Sequence, residues 1–209
     1  WKFAPALACG CTLVVKPAEL TSLTALKIGE LALEAGLPAG AFNIVTGPGR
    51  VVGDAMVHHP DIDKITFTGS PGVGRQILQG AAGNLKRVTL ELGGKSANVI
   101  FPDANLDAAV KAAGSGIFFN TGQVCSAGSR ILAHASIYDE VVERLAARAS
   151  SMRIGDPLEA STSMGPLVSA TQMKRVLDYI DIGRGEGASI VTGGERSGDT
   201  GYYVQPTVF

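Results

Sequence analysis

The chain has 209 residues, 45% of them hydrophobic and 18% charged, which is typical of a folded protein with one or two domains. Its net charge of −1 argues against nucleic acid or an anionic membrane surface as a partner. The most apolar run, residues 3–15, is interrupted by Pro5 and Gly10 and is too short to span a bilayer, so we expect a cytoplasmic protein.

The cysteines limit the kinds of site that the chain can hold. Cys9, Cys11 and Cys125 are odd in number and lack the paired CxxC spacing of metal ligands. The sequence therefore predicts neither a disulfide framework nor a metal site. Cys9 and Cys11 are two positions apart and lead into a β-branched run. We therefore expect both to belong to a strand and to lie in the core.

Strands and helices alternate along the first half of the chain. Each predicted strand is rich in β-branched residues, and proline or glycine follows it. Strands are predicted at residues 11–16, 42–45, 64–68 and 87–92, and helices at 21–34, 51–58 and 71–82. This spacing favours parallel βαβ units with right-handed crossovers, and hence an α/β fold with a doubly wound parallel sheet.

The alternation begins again after Gly93-Gly94, where we place a domain boundary between residues 1–92 and 93–209. We expect Glu91 and Cys125 to face each other across the cleft between the two domains. The second domain is predicted to contain strands at 97–101, 130–134, 189–191 and 202–209, and helices at 106–119, 138–151 and 169–183.

A glycine-rich turn at residues 68–74 follows one strand and opens a helix. Ser70 can cap the helix, and Pro71 suits the first helical position because no amide hydrogen is needed there. The free N–H groups at such a helix start can bind a pyrophosphate. The spacing is not GxGxxG, so an ordinary helix start remains the alternative.

Two charged residues, Lys16 and Glu19, follow the end of an earlier strand. Ligands of parallel sheets gather at the carboxyl ends of the strands, and a carboxylate there can accept hydrogen bonds from both ribose hydroxyls. It would repel a 2′-phosphate, which favours NAD over NADP. The alternative is a surface ion pair between Lys16 and Glu19.

Two further residues have the chemistry of catalysis. Cys125 lies on a loop flanked by Gly122 and Gly128, where a thiolate could attack a carbonyl and loop N–H groups could hold the resulting oxyanion. Glu91 closes an apolar strand, where a partly desolvated carboxyl could act as a base. The alternatives are a buried structural cysteine and a strand-end carboxylate in solvent.

Two long motifs resemble those of the NAD(P)-dependent aldehyde dehydrogenases. Residues 90–97, LELGGKSA, are similar to the glutamate motif of that family, and residues 118–129, FFNTGQVCSAGS, to its cysteine motif. The similarity covers the whole chain, and further matching segments are VKPAE at 15–19, FTGS at 67–70, GP at 165–166 and QPTVF at 205–209.

The resemblance implies a role for each candidate residue. Cys125 would be the nucleophile and Glu91 the general base, while Lys2 matches a lysine implicated in proton relay. In the cofactor site, Lys16 and Glu19 would hold the adenosine ribose, Gly49 would line the adenine, Gly69 and Ser70 would approach the pyrophosphate, and the Leu92 carbonyl would meet the nicotinamide amide. The implied reaction oxidises a small aldehyde to a carboxylic acid through a cysteine thiohemiacetal and a thioester, with NAD as cofactor.

The resemblance also implies that parts of the family's fold lie outside this chain. The oxyanion-hole asparagine is expected just before Trp1, and a Glu-Phe-Gly-Pro segment soon after Phe209. Residues 1–92 would then be the C-terminal part of an incomplete Rossmann-like NAD-binding domain, and 93–209 a truncated catalytic domain. We expect the full-length parent to be a homodimer or homotetramer, and the 209-residue piece alone to be poorly active and marginally folded.

Two other functions remain open. A thiol hydrolase or esterase would use Cys125 and Glu91 without redox chemistry. A catalytically silent member of the family would be expected to have lost one of the two residues, yet both are present.

Overall fold

Helices alternate with short parallel strands along the chain, which is the α/β architecture that the sequence predicts. The computed structural model of the protein describes all 209 residues. They form two units, Trp1–Gly93 and Gly94–Phe209, and each is described by itself below. No helix has the combination of length and apolar character that crossing a membrane requires.

The first unit contains two parallel strand pairs. Leu13 is opposite Phe42 in the first pair, β1–β2, and Lys64 is opposite Arg87 in the second, β3–β4. The elements are α1 Phe3–Ala8, β1 Leu13–Val15, α2 Leu23–Glu34, β2 Phe42–Ile44, α3 Asp54–His58, β3 Lys64–Gly69, α4 Pro71–Ala81 and β4 Arg87–Leu92. A π-helical turn over Gly49–Gly53 leads into α3.

The placement of Cys9 and Cys11 in a buried strand is wrong. Helix α1 ends at Ala8, and Gly10, with a φ of 76°, reverses the chain after it. The Gly10 N–H donates to the Leu7 carbonyl at 2.9 Å and the Cys11 N–H to the Ala6 carbonyl at 3.0 Å, the paired bonds of a Schellman helix end. Strand β1 begins only at Leu13, so both cysteines are left exposed.

Helix α4 packs closely on strand β4 because Gly74 has no side chain. A Cβ at this buried position would lie 3.1 Å from Leu92 Cδ2 and 3.4 Å from Leu90 Cδ1. Those two leucines project from the face of β4 that α4 covers. The glycine thus sets the distance between the helix and the end of the strand that carries Glu91.

The second unit is built on a third parallel pair, β5–β6, in which Ala97 is opposite Arg130. Its elements are β5 Ala97–Ile100, α5 Leu106–Phe118, β6 Arg130–Ala133, α6 Tyr138–Ser150 and α7 Ala170–Gly185. Helix α6 is amphipathic, and Val141, Leu145 and Ala149 on its apolar face are buried. The main core of the unit combines Ile100, Val110, Ala113, Ile137, Val141 and Leu145.

The strands predicted at 189–191 and 202–209 are wrong. Only isolated antiparallel bridges form there, between Thr192 and Val208 and between Arg196 and Val204. Four glycines with positive φ, namely Gly193, Gly194, Gly198 and Gly201, bend the intervening chain and prevent a continuous ladder. The segment still contributes to a second core, in which Leu167 and Ile180 pack with Val204.

Candidate functional site

The carboxyl end of the β1–β2 pair brings Lys16, Glu19 and Gly49 together. The Lys16 ammonium donates to the Gly47 carbonyl at 3.2 Å and to the Pro17 carbonyl at 2.8 Å. Glu19 Oε1 accepts the Gly49 N–H at 2.8 Å. Neither charged side chain takes part in an ion pair, so the surface ion pair considered as an alternative does not form.

A cavity of about 200 Å³ opens at this edge. Pockets for whole drug-sized ligands hold about 300–1,000 Å³, so this cavity suits one end of a dinucleotide. Glu19 uses one carboxylate oxygen to bind Gly49, which leaves the other for a ligand hydroxyl. The lining consists of Pro17, Ala18, Glu19, Ser22, Thr46, Gly47 and Pro48.

The carboxyl end of the β3–β4 pair collects a second group of predicted residues. Thr68 is opposite Glu91 in the strand register, and Gly69 is opposite Leu92. The Lys2 ammonium donates to the Thr68 hydroxyl, although the two residues are 66 positions apart in sequence. Lys2 and Glu91 are thereby brought to the same end of one strand pair.

Ser70 starts α4 in the way that the sequence predicts. Its hydroxyl oxygen accepts the Val73 N–H at 3.4 Å, and Pro71 occupies the first turn. At Gly69, a Cβ would come within 2.3 Å of the Phe67 ring, so any larger residue there would require that ring to move. The first turn of an 11-residue helix therefore follows directly from a strand end, an arrangement suited to phosphate.

The partial burial expected for Glu91 is wrong, since this side chain is exposed. Side chains alternate along β4, so Leu90 and Leu92 turn toward α4 and Glu91 turns to the other face. The apolar neighbours of Glu91 in the sequence, Leu90 and Leu92, lie on the face of β4 that α4 covers. The carboxylate itself is accessible to water, as the alternative of a strand-end carboxylate in solvent predicts.

Cys125 is exposed on a tight turn, so the alternative of a buried structural cysteine is wrong. The Ala127 N–H donates to the Val124 carbonyl at 3.2 Å, which places Cys125 and Ser126 at the two central positions. Ala127 is buried and fixes the end of the turn. The sulfur is thus presented to solvent by a backbone that is held on its C-terminal side.

The backbone just before this turn is unusual. Asn120, Thr121 and Gly122 have φ values of 49°, 55° and 72° in succession. The left-handed conformation costs about 1–2 kcal/mol for each non-glycine residue, and such strain persists only where neighbouring contacts enforce it. Strained segments of this kind are concentrated at functional sites.

Two contacts near the candidate residues, one in each unit, could not be predicted from the sequence. The Thr68 hydroxyl accepts a hydrogen bond from the Lys2 ammonium, and Gln123 Oε1 accepts the Val168 N–H at 3.2 Å. Both residues lie inside motifs that the sequence analysis singled out, but no role followed from their position. Their partners are distant in sequence, and no local pattern encodes such pairs.

Comparison with known proteins identifies the family. All of residues 1–209 match the aldehyde dehydrogenase family. The chain belongs to this family. It is 55% identical over 209 residues to an aldehyde dehydrogenase of Enchytraeus buchholzi and 53% identical over 210 residues to one of Aspergillus niger. In both comparisons all of this chain is covered, and it spans 42% of the length of the relative.

Solved structures of the family have the same fold. The NAD⁺ complex of an aldehyde dehydrogenase from Bacillus cereus superposes with a TM-score of 0.97 at 50% identity. The match covers 99% of this chain and 42% of that one. The short parallel strands and helices of the present chain therefore correspond to part of an aldehyde dehydrogenase fold, with an incomplete Rossmann-like sheet.

Proposed function

We propose that this chain carries the nucleophile and the base of an NAD-dependent enzyme that oxidises an aldehyde to a carboxylic acid. The observation that supports the proposal most strongly is the family match along all 209 residues, combined with the exposed turn that presents Cys125. In this proposal residues 1–92 belong to the NAD-binding domain and residues 93–209 to the catalytic domain. A shared cleft for Glu91 and Cys125, a cytoplasmic location and a homodimeric or homotetrameric parent stay predictions.

The proposed cofactor site follows the carboxyl ends of the strand pairs in the first unit. Glu19, which lines the cavity, holds the adenosine ribose together with Lys16, and Gly49, bonded to Glu19, lines the adenine. Gly69 and Ser70 approach the pyrophosphate at the start of α4, and the Leu92 carbonyl meets the nicotinamide amide. NAD complexes of the related structures support this choice of cofactor. The Glu19 carboxylate would repel the 2′-phosphate of NADP.

In the proposed first half-reaction, the Cys125 thiolate adds to the aldehyde carbon. Backbone N–H groups of the turn stabilise the oxyanion of the thiohemiacetal. Bound NAD supplies the hydride acceptor that this step needs. Loss of hydride from the thiohemiacetal carbon restores the carbonyl and leaves a thioester on Cys125.

In the proposed second half-reaction, Glu91 removes a proton from water that attacks the thioester carbon. The acid is released, and Cys125 returns as the thiolate. Lys2, tied to the strand end through Thr68, is the proposed relay for the proton.

The deciding experiment uses the full-length parent and follows acid release from a panel of aldehydes with NAD, with NADP and without either. The proposal predicts acid formation only with a dinucleotide, and faster with NAD. Cys125→Ala should abolish turnover. The NAD dissociation constant should stay within about twofold of the unsubstituted value, because Cys125 is not one of the residues proposed to hold the adenosine. Ester hydrolysis without a dinucleotide would favour the hydrolase instead, and undiminished turnover in the variant would remove Cys125 from its role.

A further inference from the structure

The Cys125 turn is attached on its N-terminal side to a distant part of the second unit by one side chain, Gln123. This half-buried residue precedes Cys125 by two positions. Its Oε1 accepts the Val168 N–H at 3.2 Å, across 45 residues of sequence, and its Nε2 donates to the Thr121 hydroxyl. Both ends of the amide are therefore in use.

The Thr121 end of this bridge holds the strained backbone. The Thr121 hydroxyl donates to the Asn120 carbonyl at 2.7 Å, and the Gln123 N–H donates to the same carbonyl at 3.0 Å. Asn120 Nδ2 in turn donates a hydrogen bond to the Gln123 carbonyl at 3.4 Å. These bonds are local, so they can hold the shape of residues 120–123 but cannot fix that segment relative to the rest of the unit.

At the other end of the bridge, the backbone at Val168 is held in place by its neighbours. Leu167, its neighbour, is buried in the core with Ile180 and Val204. The Leu167 N–H donates to the Tyr202 carbonyl at 2.9 Å, and Ser169 caps α7 by accepting the Gln172 N–H at 3.2 Å. Val168 thus lies between a core residue and a helix cap, and its N–H is a well-anchored donor.

We propose that Gln123 is a positioning residue for the Cys125 nucleophile. It acts by joining the left-handed segment to the anchored backbone at Val168. It does not contact the reacting atoms in this scheme. With the bridge intact, the turn keeps the sulfur in its exposed orientation; without it, Asn120 and Thr121 relax toward ordinary backbone conformations and the competent orientation is populated less. The inference extends the proposed function, but its structural part can be tested without that function.

Two substitutions separate the two ends of the bridge. Gln123→Met keeps the length of the side chain and removes both hydrogen bonds. Gln123→Glu keeps an acceptor for the Val168 N–H and removes the donor to Thr121. Gln172→Met is the matched control, because Gln172 is a half-buried glutamine of the same unit whose backbone, not its side chain, is hydrogen-bonded.

The first measurement uses a Cys9→Ser, Cys11→Ser background, in which Cys125 is the only thiol of the chain. Iodoacetamide alkylation is followed at the same alkaline pH for every variant. We expect the second-order rate constant to fall roughly fivefold or more in Gln123→Met, with Gln123→Glu intermediate and Gln172→Met unchanged. Amide exchange at Val168 should accelerate in Gln123→Met and change little in Gln123→Glu.

The second measurement uses steady-state kinetics of the full-length parent with NAD and an aldehyde. We expect Gln123→Met to lower kcat by about 10- to 100-fold and to leave the NAD dissociation constant within about twofold, since a misplaced nucleophile affects chemistry more than cofactor binding. Alkylation and kcat within twofold of the parent in Gln123→Met, or an equal loss in Gln172→Met, would overturn the inference. If circular dichroism shows that the Met variant is unfolded, the Glu variant decides, and a parental alkylation rate there rejects the inference. Alkylation needs neither NAD nor aldehyde, so an inactive full-length parent combined with a slowed Gln123→Met thiol would reject the proposed oxidation and leave this role standing.

Discussion

Glu91 and Cys125 divide the proposed reaction into two half-reactions that can be measured separately. Cys125 forms the carbon–sulfur bond and Glu91 acts only on water, so the two residues should fail in different ways. Loss of only one half-reaction is stronger evidence for a residue's role than loss of total activity, because a damaged fold would slow both half-reactions together.

For Glu91→Gln we predict slow thioester hydrolysis with hydride transfer retained. General base catalysis contributes typically about 10²–10⁴-fold, so steady-state turnover should fall within that range while a rapid burst of NADH remains. Rapid-mixing absorbance at the NADH band measures both phases. Glu34→Gln, at an exposed glutamate that ends α2, is the control and should behave as the parent. Normal steady-state turnover in the Glu91 variant would remove the assignment.

For Glu19→Gln we predict a loss of preference for NAD over NADP. The amide oxygen can still accept the Gly49 N–H, so the local backbone should be kept, while the negative charge that opposes a 2′-phosphate disappears. Calorimetric titration should show weaker NAD binding and a ratio of the two dissociation constants that moves toward one. An unchanged ratio would mean that Glu19 does not face the ribose.

At the scale of elements, packing of α4 on β4 holds the strand end that carries Glu91. This packing depends on Gly74, because a Cβ at that position would lie only 3.1 Å from Leu92 Cδ2. The helix start at Ser70 and the strand end at Leu92 are therefore coupled through one interface. Damage at that interface should affect stability and the proposed pyrophosphate site together.

For Gly74→Val we predict destabilisation by about 1–3 kcal/mol, because the added methyl groups overpack the helix–strand contact. Urea unfolding followed by circular dichroism measures the change. Gly72→Val in the same helix is the control, since a Cβ there meets only the Ser70 hydroxyl at 4.0 Å. Equal losses in the two variants would show that helix propensity, and not packing, is responsible.

At the scale of the whole molecule, the buried apolar residues are unevenly distributed between the two units. Only Val57, Ile77 and Ala81 are buried hydrophobic residues of Trp1–Gly93. Both clusters of the core, around Val141 and around Leu167, belong to Gly94–Phe209. Because burial of apolar surface is the main favourable term in folding, the second unit should be the more stable part.

We predict that amide exchange in increasing urea exposes Trp1–Gly93 first. Peptides from β3 and β4 should lose protection at a lower urea concentration than peptides from α5 and α6. Mass spectrometry of the exchanged chain measures both regions in one sample. NAD in excess should narrow the difference, since a ligand that binds only the folded state stabilises it. Simultaneous loss of protection in both regions would show that the chain unfolds as one cooperative unit.

The sequence alone was sufficient for the class and order of most elements and for naming most of the candidate residues. Strand composition, amphipathic spacing in α6 and the Ser70-Pro71 helix start are local signals, and each one is encoded within a few neighbouring residues. The family motifs are local in the same sense. For that reason Cys125, Glu91 and Glu19 could be named before any coordinate was known.

Tertiary structure decided the features that depend on distant partners. The Schellman turn leaves Cys9 and Cys11 outside the strand, and the cover of α4 on one face of β4 leaves Glu91 exposed. The bonds from Lys2 to Thr68 and from Val168 to Gln123 join residues far apart in sequence. A single sequence carries no periodic signal for such pairs, because which side chains meet depends on how the elements pack.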